Sequence, residues 1–267
     1  MIEFSPNPTG PSHLGTIRTY MAAWDIAKER EQRLSVRFDG EMLTLPLVGG
    51  HGRTPSKAWA ELFLGEVYVL GMPPDAWIYL EDSDLVTVDV FREGVETKPW
   101  PNPSVMIDEF AYIKSGPITM NDTTVSNWKA EGQVPILKLD GDSTFPYAFH
   151  KRDGKWIMSP VASHMMISHF RGVKTIVRSL ISERVTSTEI KFASDLGMPM
   201  EYEAVHHAVI VNDEGALSKS RLETGDPGTF GWAVGEYGMD EVKRCLQKSL
   251  LEDDRPIIHY LDLFRDS

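Results

Sequence analysis

Phe4-Ser5-Pro6-Asn7-Pro8-Thr9-Gly10-Pro11-Ser12-His13-Leu14-Gly15-Thr16-Ile17-Arg18-Thr19-Tyr20 is the stretch on which the fold turns. Three prolines and Gly10 forbid regular structure between Phe4 and Ser12, so the loop is stiff. Beyond it Ile17, Tyr20, Met21 and Trp24 recur on one helical face, and ahead of it stand only Met1, Ile2 and Glu3. The order is strand, loop, helix, with His13 and Gly15 where the helix begins. A helix start offers unpaired N–H groups and the positive end of a dipole, which together hold an anion. Gly15 lets such an anion approach the backbone, and His13 can donate to a phosphate oxygen as charge builds on it. An ordinary loop with a surface histidine fits the same spacing, so a second motif must decide.

Composition narrows the class. A chain of 267 residues, 42% hydrophobic and 25% charged, is long enough for a sizeable core in one large or two small domains. It contains no run of about eighteen apolar residues, and its N-terminus lacks the basic-then-apolar pattern of a signal peptide. The cytoplasm is the expected compartment, with no membrane partner. Cys245 is the single cysteine, so one chain can build neither a disulfide nor a cysteine zinc site. His164 and His169, five apart, match one helical face poorly, and the sequence assigns no metal ligand. A net charge of −12 disfavours a broad, sequence-blind grip on nucleic acid without excluding a local basic groove.

Taken in order, the first helix should end near Arg30, and Leu34 to Phe38 reads as a second parallel strand ending in Asp39 and Gly40. An acid at the carboxyl end of such a strand lines the crevice where open α/β sheets bind ligands; a turn-capping aspartate is the competing explanation. Thr54 as N-cap and Pro55 predict a helix to about Leu70, stopped by Gly71, Pro73 and Pro74. Trp77 to Leu80 reads as a short strand, and Leu85 to Arg92 is ambiguous. Prolines then crowd the span from Glu96 to Pro146, which reads as an insertion between two halves of the main sheet, with Val134 to Leu139 its clearest strand. Val161 to Arg171 reads as a Met-rich helix, and Lys174 to Ser179 as a buried strand bearing Arg178. Thr186 and Glu189 make a capping box for a helix to Leu196. Val205 to Val211 is the next strand, Asn212 to Gly215 a tight turn, and the tail from Gly231 one or two helices including Asp240 to Leu251. The expected divisions are 1–95, 96–150, 151–230 and 231–267. Within 151–230, after the tight turn, runs Leu217-Ser218-Lys219-Ser220-Arg221, a lysine flanked by hydroxyls, which suits a polyphosphate.

The two motifs together are far more specific than either alone. His13-Leu14-Gly15-Thr16 resembles the H-I-G-H signature of class I aminoacyl-tRNA synthetases, and Ala216-Leu217-Ser218-Lys219-Ser220 resembles their K-M-S-K-S. The glutamyl and glutaminyl branch is the nearest: Arg37-Phe38-Asp39 is similar to its Arg-Ile-Glu, and Gly172 to Gly197 follows its pattern with Arg178 on the substrate-binding arginine. His206 matches a histidine ahead of the second signature. The resemblance implies a Rossmann-like, doubly wound parallel sheet, an inserted connective subdomain and a short helical tail. It also implies ATP and Mg²⁺ as cofactors, an amino acid or related carboxylate as substrate, and tRNA or another acceptor.

By that resemblance His13 and Lys219 carry the chemistry at the nucleotide phosphates. Pro8, Thr9, Gly15, Thr16, His206, Leu217, Ser218 and Ser220 line the ATP site, and Glu3, Ser5, Asn7, Asp39 and Arg178 the substrate site, with Asp39 taking the ammonium. The departures are informative. Glu3 stands where the branch has an arginine for the substrate's carboxylate, and a buried acid there repels glutamate by several kcal/mol unless it is protonated or paired. Ala216 replaces the first lysine of the second signature, and Ser179-Leu180 replaces a Gly-acid pair. The chain reaches Ser267 with no anticodon-binding domain, as in truncated members of the branch that charge other acceptors. A catalytically degenerate nucleotide-binding paralogue and a small-molecule nucleotidylyltransferase are the alternative classes.

Overall fold

The computed structural model describes residues 1–39, 55–80, 118–120, 123–125, 136–138, 144–146, 149–152, 155–158, 168, 172–183, 186, 203–219, 221–252 and 254–265. Thr54, Ser220 and the stretch 85–92 lie outside these residues. So do the helices expected over 161–171 and 186–196, apart from Ser168 and Thr186.

Strand β1 (Ile2–Phe4) leads through the proline loop into helix α1 (Leu14–Glu29), then strand β2 (Leu34–Asp39), helix α2 (Lys57–Val69) and strand β3 (Ala76–Leu80). Six short strands follow: β4 (Ile118–Met120), β5 (Thr123–Val125), β6 (Ile136–Lys138), β7 (Thr144–Pro146), β8 (Phe149–Arg152) and β9 (Lys155–Met158). The second half comprises β10 (Thr175–Ser179), β11 (Glu203–His207), β12 (Val209–Asn212) and β13 (Gly215–Ala216). Helices α3 (Phe230–Tyr237) and α4 (Met239–Glu252) then precede β14 (Ile257–His259) and a closing 3₁₀ turn.

The chain divides into two compact units, one of residues 1–81, 173–183 and 202–267, the other of residues 82–172 and 184–201. In the second unit β4 to β7 form an antiparallel sheet in chain order, and β8 pairs with β9. The first unit is built on a five-stranded sheet ordered β11-β10-β1-β2-β3, every neighbouring pair parallel. The chain runs from β1 outward through β2 and β3, then resumes on the other side of β1 through β10 and β11. The order reverses between β1 and β10, and ligands of open α/β sheets bind beyond the carboxyl ends of the strands at such a point. The loop from Ser5 to His13 leaves β1 there.

Strand alternation gives the sheet two unlike faces. Phe4 and Phe38 meet Tyr20 of α1 and Phe63 of α2 in a cluster of four rings with centroids 5.4 to 5.9 Å apart. Each such ring pair contributes roughly 0.5–1.5 kcal/mol beyond the area it buries. Tyr20 also donates its hydroxyl to the Met72 carbonyl at 2.5 Å, tying α1 to the end of α2. The opposite face carries Glu3, Arg37 and Asp39. The register sets Glu3 against Ser35 on one side and Ile176 on the other, so Ile176 and Arg178 share its face, and Arg178 pairs with His206.

Two local expectations differ from the structure. Helix α2 starts at Lys57, not after Thr54. The Ser56 amide is bonded to the Pro8 carbonyl at 2.9 Å and its backbone is extended, so Ser56 becomes the cap and its Oγ accepts from the Trp59 amide at 3.4 Å. The single strand expected over 205–211 is two strands in different sheets. Chain pairing with β10 ends at His207; after Ala208 the backbone pairs with β14 and β13 instead. A run broken only by the two histidines before Ala208 does not show this change of partner. The expected hairpin turn is present, with Asn212 Oδ1 accepting from the Glu214 amide at 3.0 Å and Gly215 at φ 118°.

Candidate active site

The loop after β1 is fastened from three directions. Ser56 bonds to the Pro8 carbonyl, the Phe230 amide to the Ser12 carbonyl at 2.8 Å, and the Leu14 amide to the Gly228 carbonyl at 2.9 Å. Gly228 packs against Leu217, so the first motif is bonded to a segment that in turn packs on the second, about two hundred residues away in sequence. Gly228 is required there: its φ is 90°, and a Cβ on it would come within 3.0 Å of Leu217 Cδ1. Leu217 itself is buried and donates its amide to the Ile210 carbonyl at 3.0 Å.

His13 is the N-cap of α1. Its Nδ1 accepts from the Thr16 amide at 3.2 Å, which leaves the hydrogen on Nε2, 3.2 Å from Thr16 Oγ1. Loss of water around the ring, and next the Lys219 ammonium, push His13 down to about 3. At neutral pH it is a neutral donor through Nε2–H rather than a cation. Of the first-turn amides that a helix start offers to an anion, the ring takes that of Thr16 and the Gly228 carbonyl that of Leu14. Gly15 also has a nearer reason than ligand approach. A Cβ there would lie 3.1 Å from His13 Cε1 and Nδ1 and from Ile210 Cγ1.

Lys219 is half-buried, and desolvation lowers it to about 7 against an opposing pull from Glu66. Glu66, on α2, is raised to about 7 by burial, while a hydrogen bond from Ser12 and the Lys219 charge act to lower it. Sequence reasoning missed this residue. On a helix otherwise apolar toward the core, Glu66 follows Phe63 at i+3 and precedes Leu70 at i+4, and that spacing is the signal that could have found it.

On the polar face of the sheet Arg37 is fully buried between two acids. Its Nη1 lies 3.0 Å from Glu3 Oε1 and its Nε 3.0 Å from Asp39 Oδ1. Ser5 donates to Asp39 Oδ2 at 3.2 Å. Pairing is the condition under which Glu3 does not repel an acidic substrate, and Arg37 meets it. Asp39, expected to take an ammonium, is 0% exposed and held by Arg37 and Ser5. Arg178 and His206 are half-buried neighbours across β10 and β11. His206 is lowered first by burial, with Glu183 opposing and Arg178 assisting, and its Nε2 is buried without a hydrogen-bond partner. Asn7 is exposed, while Pro8, Thr9 and Thr16 are buried and Ser218 is half-buried.

The expected residues thus form two groups. His13, Thr16, Leu217, Ser218 and Lys219 gather at the α1 start, and Glu3, Ser5, Asp39, Arg178 and His206 share the polar face of the sheet. Ser220 lies outside the described residues. Among the described residues no helix is long and apolar enough to cross a membrane.

No family model matches the sequence, and no curated protein matches it. Solved structures do. The glutamate–tRNA synthetase from Elizabethkingia anophelis superposes with a TM-score of 0.57 and 16% identity, covering 98% of this chain and 64% of that one. A glutamate tRNA ligase from Elizabethkingia meningosepticum in complex with its amino acid gives 0.56 and 15%, over 98% and 63%. The Mycobacterium tuberculosis methionyl-tRNA synthetase bound by methionyl-adenylate gives 0.51 and 11%, over 92% and 63%. The chain spans less than two thirds of the length of each. The parallel five-stranded sheet with its flanking helices is a Rossmann-like α/β fold, and it is the fold this chain shares with these three structures.

Proposed function

We propose that the protein binds Mg–ATP and activates an amino acid or related carboxylate as an acyl-adenylate, which it transfers to tRNA or another acceptor. One observation carries the reading: at the point where the strand order of a parallel sheet reverses, the His13 motif is bonded to Gly228, which packs on Leu217 of the Lys219 motif. The carboxylate attacks the α-phosphorus and pyrophosphate leaves, so the protein needs no nucleophile and acts by positioning and charge stabilisation. His13 donates through Nε2–H to a phosphate oxygen, and Lys219 follows the charge onto the departing pyrophosphate. Bound to the phosphates, Mg²⁺ would supply further charge neutralisation beside His13 and Lys219. Asp39 and Arg178 orient the substrate, and the inserted subdomain over 96–150 meets the acceptor.

The test is ATP–pyrophosphate exchange screened over amino acids and related carboxylates, with and without tRNA. Exchange with at least one of them is expected, falling at least about tenfold in His13→Ala and in Lys219→Ala with the fold retained. Exchange at the native rate in both variants refutes the site. A second reading, nucleotide binding without adenylation, is favoured by one observation, the burial of Asp39 against Arg37 and Ser5. Nucleotide binding with no exchange for any carboxylate selects it.

A further inference from the structure

We propose that Thr229 is a positioning residue, the joint that holds the His13 ring and the loop carrying Lys219 at one spacing. This rests on the reading that the two groups act together on a nucleotide, but Thr229 belongs to neither motif that led to that reading.

Helices α1 and α3 cap each other. Ser12 to Leu14 and Gly228 to Phe230 run antiparallel, with His13 opposite Thr229. The Leu14 amide donates across this bridge to the Gly228 carbonyl at 2.9 Å, and the Phe230 amide donates back to the Ser12 carbonyl at 2.8 Å. His13 and Thr229 are therefore the non-hydrogen-bonded pair of the bridge, the kind whose Cα atoms approach to about 4.5 Å and whose side chains lie closer together. Each is also the N-cap of its own helix. The Thr16 amide donates to His13 Nδ1 at 3.2 Å, and the Trp232 amide to Thr229 Oγ1 at 3.2 Å. In both helices the first amide goes to the neighbour and the third to the helix's own cap. A disturbance at the start of α3 is thus felt at His13, because the same two backbone bonds seat both caps.

Thr229 reaches the lysine loop as well. Its buried hydroxyl is used twice, accepting from Trp232 and donating to the Asp226 carbonyl at 2.7 Å, where the Thr229 amide also donates at 3.0 Å. Asp226 in turn holds Glu223: its carboxylate accepts from the Glu223 amide at 2.7 Å, and its amide donates to the Glu223 carbonyl at 3.1 Å. These bonds fix the exit of the loop, as the packing of Leu217 on Gly228 fixes its entrance. Lys219 lies between the two, so both ends of its loop are tied to the backbone that seats His13. The joint needs a hydroxyl. Valine keeps the branched shape and supplies neither donor nor acceptor, whereas serine supplies both.

Thr229→Val and Thr229→Ser in the full chain test the joint, read by NMR of ¹⁵N-labelled histidine rings and by ATP–pyrophosphate exchange below the melting midpoint. The His13 signals are identified by their loss in His13→Asn. The native ring should be a single Nε2–H tautomer, because Nδ1 accepts from the Thr16 amide. Thr229→Val should mix the two tautomers. It should also lower kcat for exchange about tenfold with KM for ATP within about twofold, as when groups that act in the transition state are misplaced. Thr229→Ser should keep both readouts native. Asp226→Ala, at a half-buried position outside the bridge, should lower kcat by less and leave the ring signals native. A Thr229→Val protein that melts earlier yet keeps the native tautomer and the native kcat overturns the positioning role and leaves Thr229 a helix cap only. If Thr229→Val does not fold, an unchanged kcat in Asp226→Ala overturns it. A native chain that shows no exchange with any carboxylate defeats the adenylation reading alone, and the ring signals still decide the joint.

Discussion

Replacing Arg37 by methionine tests the polar face of the sheet most severely. The guanidinium is 0% exposed and lies 3.0 Å from each of two carboxylates that are themselves 1% and 0% exposed. Methionine keeps roughly the volume and removes the charge, so two buried acids lose their shared cation. Removing one partner of a buried pair costs about 3–5 kcal/mol, most of it the penalty on the charge left behind. For a chain of this size each kcal/mol moves the unfolding midpoint by roughly 2–4 °C, so a fall of about 10 °C is expected.

The same argument predicts a change of sign. In the native background Glu3→Gln weakens a charged hydrogen bond and should cost about 1–3 kcal/mol. In the Arg37→Met background it removes an uncompensated charge and should stabilise by a similar amount. Urea unfolding of the four proteins, followed by circular dichroism, measures the cycle, and a coupling above about 1 kcal/mol is expected for groups in contact. Two effects that simply add to within about 0.5 kcal/mol would refute the claim that Arg37 holds Glu3. A loss below about 1 kcal/mol for Arg37→Met would refute the buried triad altogether.

Gly15→Ala should leave stability within about 1 kcal/mol, because alanine's better helix propensity offsets the weakened cap, yet lower exchange at least about tenfold as the Cβ displaces the His13 ring; parallel losses of stability and exchange would contradict this. Stability should also fall as the pH drops from about 6.5 toward 4. The unfolded chain then charges three histidines that the folded chain keeps neutral: His13 held at about 3, His207 at about 4, and His206 lowered. Their contributions are present above the unfolded value and lost below it, while Glu66, raised to about 7, works in the opposite sense because the folded chain takes that proton first. Asp25, raised by burial, works with Glu66, and Glu203, lowered by Arg30, works with the histidines, whose unfolded values all fall at the top of this window and set the sign. Melting midpoints that stay level or rise on acidification would contradict it, and His207→Asn should flatten the slope.

The sheet was legible because its strands obey local rules. Leu34 to Phe38 alternates, the helix after His13 keeps an apolar stripe, and Gly71 with Pro73 and Pro74 ends the next helix where the chain says it must. What failed to show was pairing. Ala208 carries no mark of a switch between sheets, and Ile257 to His259 is too short to display a period. The motifs around His13 and Lys219 were visible as motifs, but Glu66 was not, since a single acid on a helix acquires meaning only from what faces it. The pairing of Glu3 was hidden for the same reason. Strand alternation places Glu3 and Arg37 on one face, yet only the register of β1 on β2 brings them within reach.

Under the proposed function, that pairing alters what Glu3 says about a substrate. Taken alone, an acid where the glutamyl branch has an arginine argues against an acidic side chain. Held by Arg37, which also holds Asp39, it becomes one charge in a triad of two acids and one cation, with a formal sum of −1. That excess is buried with the triad, and it favours a cation such as an amino acid's ammonium on the adjoining face over a further carboxylate. An additional carboxylate would need its own cation, and on the described part of this face Arg178, half-buried at the carboxyl end of β10, is the arginine placed to supply one. If Arg178 instead holds the α-carboxylate, the triad leaves an acidic side chain uncompensated and a neutral one at no cost. Selectivity then turns on how Arg178 is used more than on the reversal at Glu3.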